Sequence, residues 1–205
     1  MEIFQRNSIY ELIKGTGKIK EYEYGKLIYK GEYLNGERNG KGKEYDVYTG
    51  ELEFEGEYLN GLRNRKGKEY YDNGELEFEG EYLDGERNKG KEYYKNGELI
   101  FEGEYLNGER HGKGKEYDYD YYNSKNYLKF EGEYLNGKRN GKGIEYWIDG
   151  DLIFEGEYLD GKIWNGKGKG KYGFNSIFEG EYLNGKEWNG VVKKYSCRGC
   201  YFYVL

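Results

Sequence analysis

Phe54-Glu-Gly-Glu-Tyr-Leu-Asn-Gly61 is the stretch from which the fold can be read. Its last two residues are the strongest short hairpin signal, because both central residues of a type I′ turn need positive φ and Asn-Gly tolerates it. Before the turn the side chains alternate: Phe54, Gly56 and Tyr58 fall on one face of a strand, and Glu55, Glu57 and Leu59 on the other. After it, Gly67, Glu69 and Tyr71 share one face, Lys66, Lys68 and Tyr70 share the other, and a second turn signal follows at Asp72-Asn73-Gly74. Setting the lysines beside Glu55 and Glu57 creates opposite-charge cross-strand pairs, worth a few tenths of a kcal/mol each, which the other register lacks. The same choice gathers Phe54, Tyr58 and Tyr71 around Gly56 and Gly67, where a missing Cβ leaves room for a ring to lie across the backbone.

The segment is one of seven copies, centred on Gly31, Gly56, Gly80, Gly103, Gly132, Gly156 and Gly180, at intervals of 25, 24, 23, 29, 24 and 24 residues. A second half-motif runs between copies: Arg38-Asn-Gly-Lys-Gly-Lys-Glu-Tyr45 returns at Arg110 to Tyr117 and, with Ile144 in place of one lysine, at Arg139 to Tyr146. Two copies depart from it. Arg65 stands where glycine is expected, and Arg87-Asn-Lys-Gly90 is one residue short. Gly15 to Tyr24 reads as a further half-copy. Two turns per period mean two strands per repeat, and hence an all-β, single-layer, elongated antiparallel meander of tandem hairpins, an open twisted sheet resembling a solenoid strap. About 14 strands at ~4.8 Å each would make it roughly 65 to 70 Å long. The expected organisation is an N-terminal cap at 1–14, the repeat array at 15–190 and a C-terminal cap at 191–205, because open sheet edges need covering.

Composition supports an ordered β-rich chain. Hydrophobic residues are only 36% and charged residues 35%, a balance that alone would suggest disorder. Aromatics at 19% argue the other way, since Tyr and Phe bury large areas on a pleated surface. The 35 glycines exclude long helices. The start lacks the basic flank and apolar core of a signal peptide and no long apolar run occurs, so the expected location is cytoplasmic. A net charge of −6 makes nucleic acid a poor partner.

The run Phe101-Glu-Gly-Glu-Tyr-Leu-Asn-Gly-Glu-Arg-His-Gly-Lys-Gly114 is similar to the MORN (membrane occupation and recognition nexus) repeat: an aromatic, Gly two residues on, and a paired Gly-x-Gly after a short turn. Tyr70 to Gly80 looks more like a shorter variant found in bacterial antitoxin-like proteins. The resemblance covers roughly residues 15 to 190. It implies a scaffold in cytoskeletal or membrane-associated assemblies, located at the periphery of a membrane or large complex, or a phosphoinositide-headgroup module. It also implies an accessory to a catalytic subunit, because such arrays are fused to kinase or methyltransferase domains.

Catalytic chemistry finds no anchor. His111 fills the slot of Asn39 and Asn140 and reads as a turn residue, while Glu55 and Glu57 recur as an evenly spread charge ladder. No cofactor and no metal site is expected. Cys197-Arg-Gly-Cys200 lacks the second ligand pair that structural zinc needs, which leaves reduced thiols, a disulfide or an intermolecular metal or redox role open. The Gly-x-Gly pairs lead into strands and have no helix N-terminus to cradle phosphate. Two regions remain. Asp118 to Ser124 lies in the long interval and reads as a protruding loop. The candidate binding residues are Tyr33, Tyr58, Tyr82, Tyr105, Tyr134, Tyr158 and Tyr182, with the seven central glycines as their structural bed. Either this stripe is exposed and meets a partner, or its rings pack on one another over glycine. The expected function is a non-enzymatic interaction scaffold that binds a peptide or helix along this face or self-associates, with membrane phospholipid as the alternative partner.

Overall fold

The computed structural model describes residues 7–13, 15–171, 176–196 and 199–204; among them there is no helix. Two compact units are distinguished, residues 1–100 with 105–108, and residues 101–104 with 109–205. The first carries β1 (Asn7–Ile13), β2 (Thr16–Glu23), β3 (Lys26–Leu34), β4 (Glu37–Tyr45), β5 (Leu52–Leu59), β6 (Leu62–Tyr70), β7 (Leu76–Leu83) and β8 (Glu86–Tyr93). The division runs through β9 (Leu99–Leu106). The second carries β10 (Glu109–Asp120), β11 (Lys125–Leu135), β12 (Lys138–Tyr146), β13 (Leu152–Leu159), β14 (Lys162–Lys171), β15 (Ser176–Leu183), β16 (Lys186–Ser196) and β17 (Gly199–Val204). Within each unit successive strands pair antiparallel, so each is an open meander of hairpins.

The turn chemistry follows the sequence. Asn60 and Gly61 have φ of 49° and 82°, the pair of positive values a type I′ turn requires, and the other six Asn-Gly or Asp-Gly turns match. At the opposite end of the second repeat, Gly74 N–H donates to Tyr71 O and Tyr71 N–H to Glu75 O, both at 2.9 Å, with Gly74 at φ 80°. That is a three-residue hairpin loop closed by a left-handed glycine. The Asn-Gly turns are also tied to one another, for Gly61 N–H donates to Arg38 O, Gly85 N–H to Arg63 O and Gly161 N–H to Arg139 O at 2.8–2.9 Å.

Register places glycine opposite glycine: Gly42↔Gly56↔Gly67↔Gly80 in the first unit, and Gly132↔Gly143↔Gly156↔Gly166 in the second. This bare trough is filled by rings. A Cβ on Gly56 or Gly67 would stand 2.6 or 2.5 Å from Phe54 Cζ, and one on Gly67 would stand 3.0 Å from Tyr82 Cε2. The core of each unit is therefore a row of fully buried rings lying on glycine, Tyr29, Phe54 and Phe78 in the first and Phe101, Phe130, Phe154 and Phe178 in the second. Lysine does stand opposite glutamate on the other face, as expected, at Glu55↔Lys68 and Lys43↔Glu55.

Two expectations change, those for Tyr71 and for the residues after Tyr117, and the two departing copies keep their neighbours' glycine register. Tyr71 is not part of the ring row: β6 bulges at Glu69/Tyr70, the Tyr71 hydroxyl donates to Tyr93 O at 2.7 Å, and Tyr82 of the next repeat takes its place over Gly67. Arg65 does not break its repeat. It adopts φ 58°, the left-handed bulge conformation of Gly40, Gly112 and Gly141 in sister copies, at a cost of about 1–2 kcal/mol for its Cβ. The short copy pairs Glu81↔Lys89 and Tyr82↔Arg87, and loses that left-handed residue while keeping Gly80↔Gly90 in register. Finally, the extra residues after Tyr117 lengthen both strands of a hairpin, with Asp118↔Tyr127 and Asp120↔Lys125 still paired, instead of forming a loop. A buried Asp120 closes its tip by accepting from Tyr122 N–H at 2.9 Å and Asn123 N–H at 3.1 Å. Cys197 lies outside the described residues, and of Cys200 only the backbone pairing with Tyr195 is described.

Candidate interaction surface

The ring face is built from two aromatics per repeat. Tyr58 meets Phe54 edge-on at 5.6 Å between centroids and Tyr29 at 5.4 Å, so each tyrosine wedges between the ring of its own repeat and that of the one before. Tyr134 does the same between Phe130 at 5.6 Å and Phe101 at 5.2 Å. Edge-to-face pairs of this kind add about 0.5–1.5 kcal/mol beyond their buried area.

Over the rings lies a layer the alternation argument did not anticipate. The Arg63 guanidinium sits 4.2 Å above the Phe54 centroid, Arg87 4.6 Å above Phe78 and Arg139 4.1 Å above Phe130. Each arginine bridges two glutamates: Arg38 reaches Glu21 at 3.0 Å and Glu44 at 2.5 Å, Arg63 reaches Glu44 at 2.5 Å and Glu69 at 3.1 Å, and Arg139 reaches Glu116 at 2.6 Å and Glu145 at 2.9 Å. Burial alone would raise the Glu116 carboxyl, but the hydrogen bonds from Arg139 and Tyr134 hold it below the usual range. The same burial weighs against the charged form of Arg139, and Glu116 and Glu145 outweigh it. A stacked, forked guanidinium suits this place, being planar, weakly hydrated and bidentate.

Of the two readings of the tyrosine stripe, the geometry favours packing over exposure. Tyr58, Tyr82, Tyr105, Tyr134 and Tyr158 are only 3–6% exposed, and Tyr33 and Tyr182 are half-buried. Their hydroxyls point into the charged layer: Tyr134 donates to Glu116 at 2.8 Å, and Tyr105 to Glu92 and Tyr158 to Glu145 at 3.2 Å. Burial raises the pKa of Tyr58, Tyr82, Tyr134 and Tyr158 far above the free value. Packing over glycine, and not an open apolar stripe, describes this face. The signal lay in the sequence, because Arg38, Arg63, Arg87, Arg110 and Arg139 recur beside the turn, and Glu44, Glu69, Glu116 and Glu145 fall on the same face as the rings. After Glu145 the ladder stops: the arginine slots opposite Tyr158 and Tyr182 hold Ile163 and Glu187.

What each repeat does expose is its leucine. Leu34, Leu59, Leu83 and Leu106 in the first unit, and Leu135, Leu159 and Leu183 in the second, precede the type I′ turns and are 40–57% exposed. They stand at the turn end of the face on which Lys43 pairs with Glu55 at 2.5 Å and Lys115 with Glu131 at 3.4 Å. On that face Tyr70 donates to Glu55 at 2.7 Å, and burial, together with that carboxylate, pushes its pKa up to about 12. At the lengthened hairpin, Tyr121 and Tyr122 are also exposed.

Among the described residues the geometry gathers no cluster of reactive groups. His111 lies in β10 with Nδ1 buried and without a hydrogen-bond partner among the described residues. Among the described residues no group of three or more His, Cys, Asp or Glu could hold a metal ion, and no helix is long and apolar enough to cross a membrane.

The family model described as MORN repeat matches five tandem stretches, residues 29–47, 54–75, 78–98, 101–121 and 130–152, together just over half of the chain. No curated protein matches it. Apart from Leu152, the hairpins at β13–β14 and β15–β16 lie beyond the matched residues yet keep Gly156↔Gly166 and Gly180↔Gly190 in the same register.

Proposed function

Because the chain belongs to the MORN-repeat family, we propose that it is a non-enzymatic protein-interaction scaffold whose working surface is the leucine row beside the Asn-Gly turns. The MORN repeat is in general a module of protein and membrane interaction, not of catalysis. The observation that carries the reading is the regular exposure of one leucine per repeat, 40–57% accessible, on a framework whose other large apolar row is buried. Periodic exposed apolar groups on a rigid sheet supply contact area without an ordering cost, and they mark partner sites more than isolated exposed leucines do. The candidate tyrosines serve this surface from beneath: Tyr58, Tyr82, Tyr105, Tyr134 and Tyr158 fix the spacing of the repeats, and Tyr33 and Tyr182, half-buried, remain within a partner's reach. Residues 1–14 and 191–205 act as caps to the array at 15–190, a role supported by the pairing of β1 with β2 and of β17 with β16.

The test is a photo-crosslinking residue placed at Leu59, Leu83 or Leu159 and, as control, at Tyr48, which is 82% exposed but off the row. Capture of one partner from the row positions and not from position 48, lost on Leu→Ser substitution at neighbouring row positions, supports the scaffold. Equal labelling from both, or none from the row, contradicts it. A second reading, contact with anionic headgroups, draws on Lys138, Lys162 and Lys186 beside the leucines of β11, β13 and β15. Flotation with phosphoinositide vesicles at physiological salt, abolished by Lys→Glu substitution at these three positions, would favour it over the first.

A further inference from the structure

Each exposed leucine faces, across its type I′ turn, the first residue of the returning strand. In the first unit those residues are acidic or apolar: Leu34↔Glu37, Leu59↔Leu62 and Leu83↔Glu86. In the second they are all lysine: Leu135↔Lys138, Leu159↔Lys162 and Leu183↔Lys186. All of these side chains are exposed. Farther along this face lysine is paired with glutamate at Lys43–Glu55 and Lys68–Glu79, while Lys20, Lys30 and Lys43 stand opposite one another in the first unit. At the turn row the charges are not so paired, for among the described residues Glu37, Glu86, Lys162 and Lys186 make no ion pair, and Lys138 reaches only the exposed Asp160 at 3.8 Å. Each row thus presents leucines faced across the turn by one sign of charge, with Asp160 the one acid beside the lysines, and the complementary surface occurs in the same sequence.

Spacing points to the same occupant. Consecutive leucines are two strands apart, about 9.6 Å. A helix with an apolar residue every seventh position repeats every ~10.5 Å and drifts by about 1 Å per repeat against such a row. A second copy of the array has the identical period, so leucine can meet leucine over three repeats without accumulated offset.

We propose that two copies of this chain associate through these rows, the Leu34, Leu59 and Leu83 row of one copy, edged by Glu37 and Glu86, against the Leu135, Leu159 and Leu183 row of the other, edged by Lys138, Lys162 and Lys186. The inference rests on the reading of the leucine row as the working surface and names one partner for it. Like-charge juxtaposition across such an interface costs several kcal/mol, and exposed pairs are screened by salt.

The test is sedimentation velocity on the purified full chain from micromolar to submillimolar concentration, in low and high salt. Association above the 24.2 kDa monomer is expected in low salt, weakened in high salt. The triple variant Lys138→Glu, Lys162→Glu, Lys186→Glu and the double variant Glu37→Lys, Glu86→Lys should each associate at least about tenfold more weakly, while a mixture of the two variants associates again, because acid and base rows are then both present. Far-UV circular dichroism checks that each variant is folded, and the uncharged variant Leu59→Ser, Leu83→Ser repeats the test without altering charge. A parent chain that stays monomeric at the highest concentration in low salt overturns the proposal, as does association that survives the triple variant. Because no other protein is in the cell, failure here leaves the crosslinking test of a foreign partner standing.

Discussion

Replacing Gly103 by alanine places a methyl carbon 2.6 Å from Phe101 Cζ and 2.7 Å from Gly114 Cα. Ordinary carbon contacts lie near 3.5–4.0 Å, so either the strands part or the ring leaves. Phe101 is fully buried, and turning it out forfeits about 1.5–3 kcal/mol of apolar burial. It also loses the edge contact to Tyr134 at 5.2 Å, worth about 0.5–1.5 kcal/mol, and the Arg110 guanidinium 4.4 Å above the ring, worth about 0.5–1 kcal/mol. Against this, alanine restricts the unfolded chain relative to glycine and returns about 0.4–1 kcal/mol. The net loss should be about 2–5 kcal/mol, and valine, with two further carbons, should lose more. Urea unfolding followed by tryptophan fluorescence measures it. Gly61→Ala is the control: nothing lies within 4 Å of its added carbon, and φ +82° alone costs about 1–2 kcal/mol. The double variant Phe101→Leu, Gly103→Ala should recover part of the loss, since the smaller side chain yields the space. Gly103→Ala within about 0.5 kcal/mol of the parent would refute ring-over-glycine packing.

Hydroxyls on the ring face separate by partner. The Tyr58 hydroxyl is buried with no hydrogen bond among the described residues, so Tyr58→Phe should stabilise by about 1 kcal/mol, whereas Tyr134→Phe, which removes the bond to Glu116, should destabilise by a similar amount in the same urea assay. Arg65→Gly relieves a left-handed Cβ and should raise stability by up to about 1 kcal/mol after the entropy of glycine is deducted; a lower unfolding midpoint would show that Arg65 contributes contacts outweighing its strain. Burial raises the pKa of Tyr29, Tyr58, Tyr82, Tyr134 and Tyr158 above the unfolded value of about 10, so their contribution is complete below pH 10 and is lost as pH rises further. At about 1.4 kcal/mol per group per pH unit, five tyrosines forfeit roughly 7 kcal/mol by pH 11, comparable to the whole stability of a domain. Cooperative loss of β signal between pH 10 and 12, coincident with tyrosinate absorbance, is expected; tyrosines that ionise near pH 10 with the fold intact would contradict it.

The hairpins, their turn types and the lysine-on-glutamate register were legible because each rests on nearest-neighbour rules: Asn60-Gly61 dictates its turn, and alternation dictates which of Phe54 and Glu55 faces the glycines. The bulges were not. At Glu69/Tyr70 the bulge removes Tyr71 from the ring row, and at Arg65 a non-glycine residue tolerates the left-handed bulge, because the paired strands on either side over-determine its conformation. The cover of the ring face was missed for a different reason. Alternation assigns Glu69 to the aromatic side but does not say that a long arginine opposite Tyr58 can fold back over Phe54 and neutralise it. Once the rings are covered, the outward apolar residue is the leucine, whose exposure follows from its place at the turn on the charged face.

Nitration of the native protein by tetranitromethane, mapped residue by residue by mass spectrometry, tests the buried ring row most directly. Tyr48, Tyr121 and Tyr122, 78–98% exposed, should react in the folded state, while Tyr58, Tyr82, Tyr134 and Tyr158 react only after unfolding. If those four are modified in the native protein as fast as Tyr122, the rings are open to solvent, the arginine–glutamate cover does not form, and the aromatic face regains its claim as the surface that meets a partner.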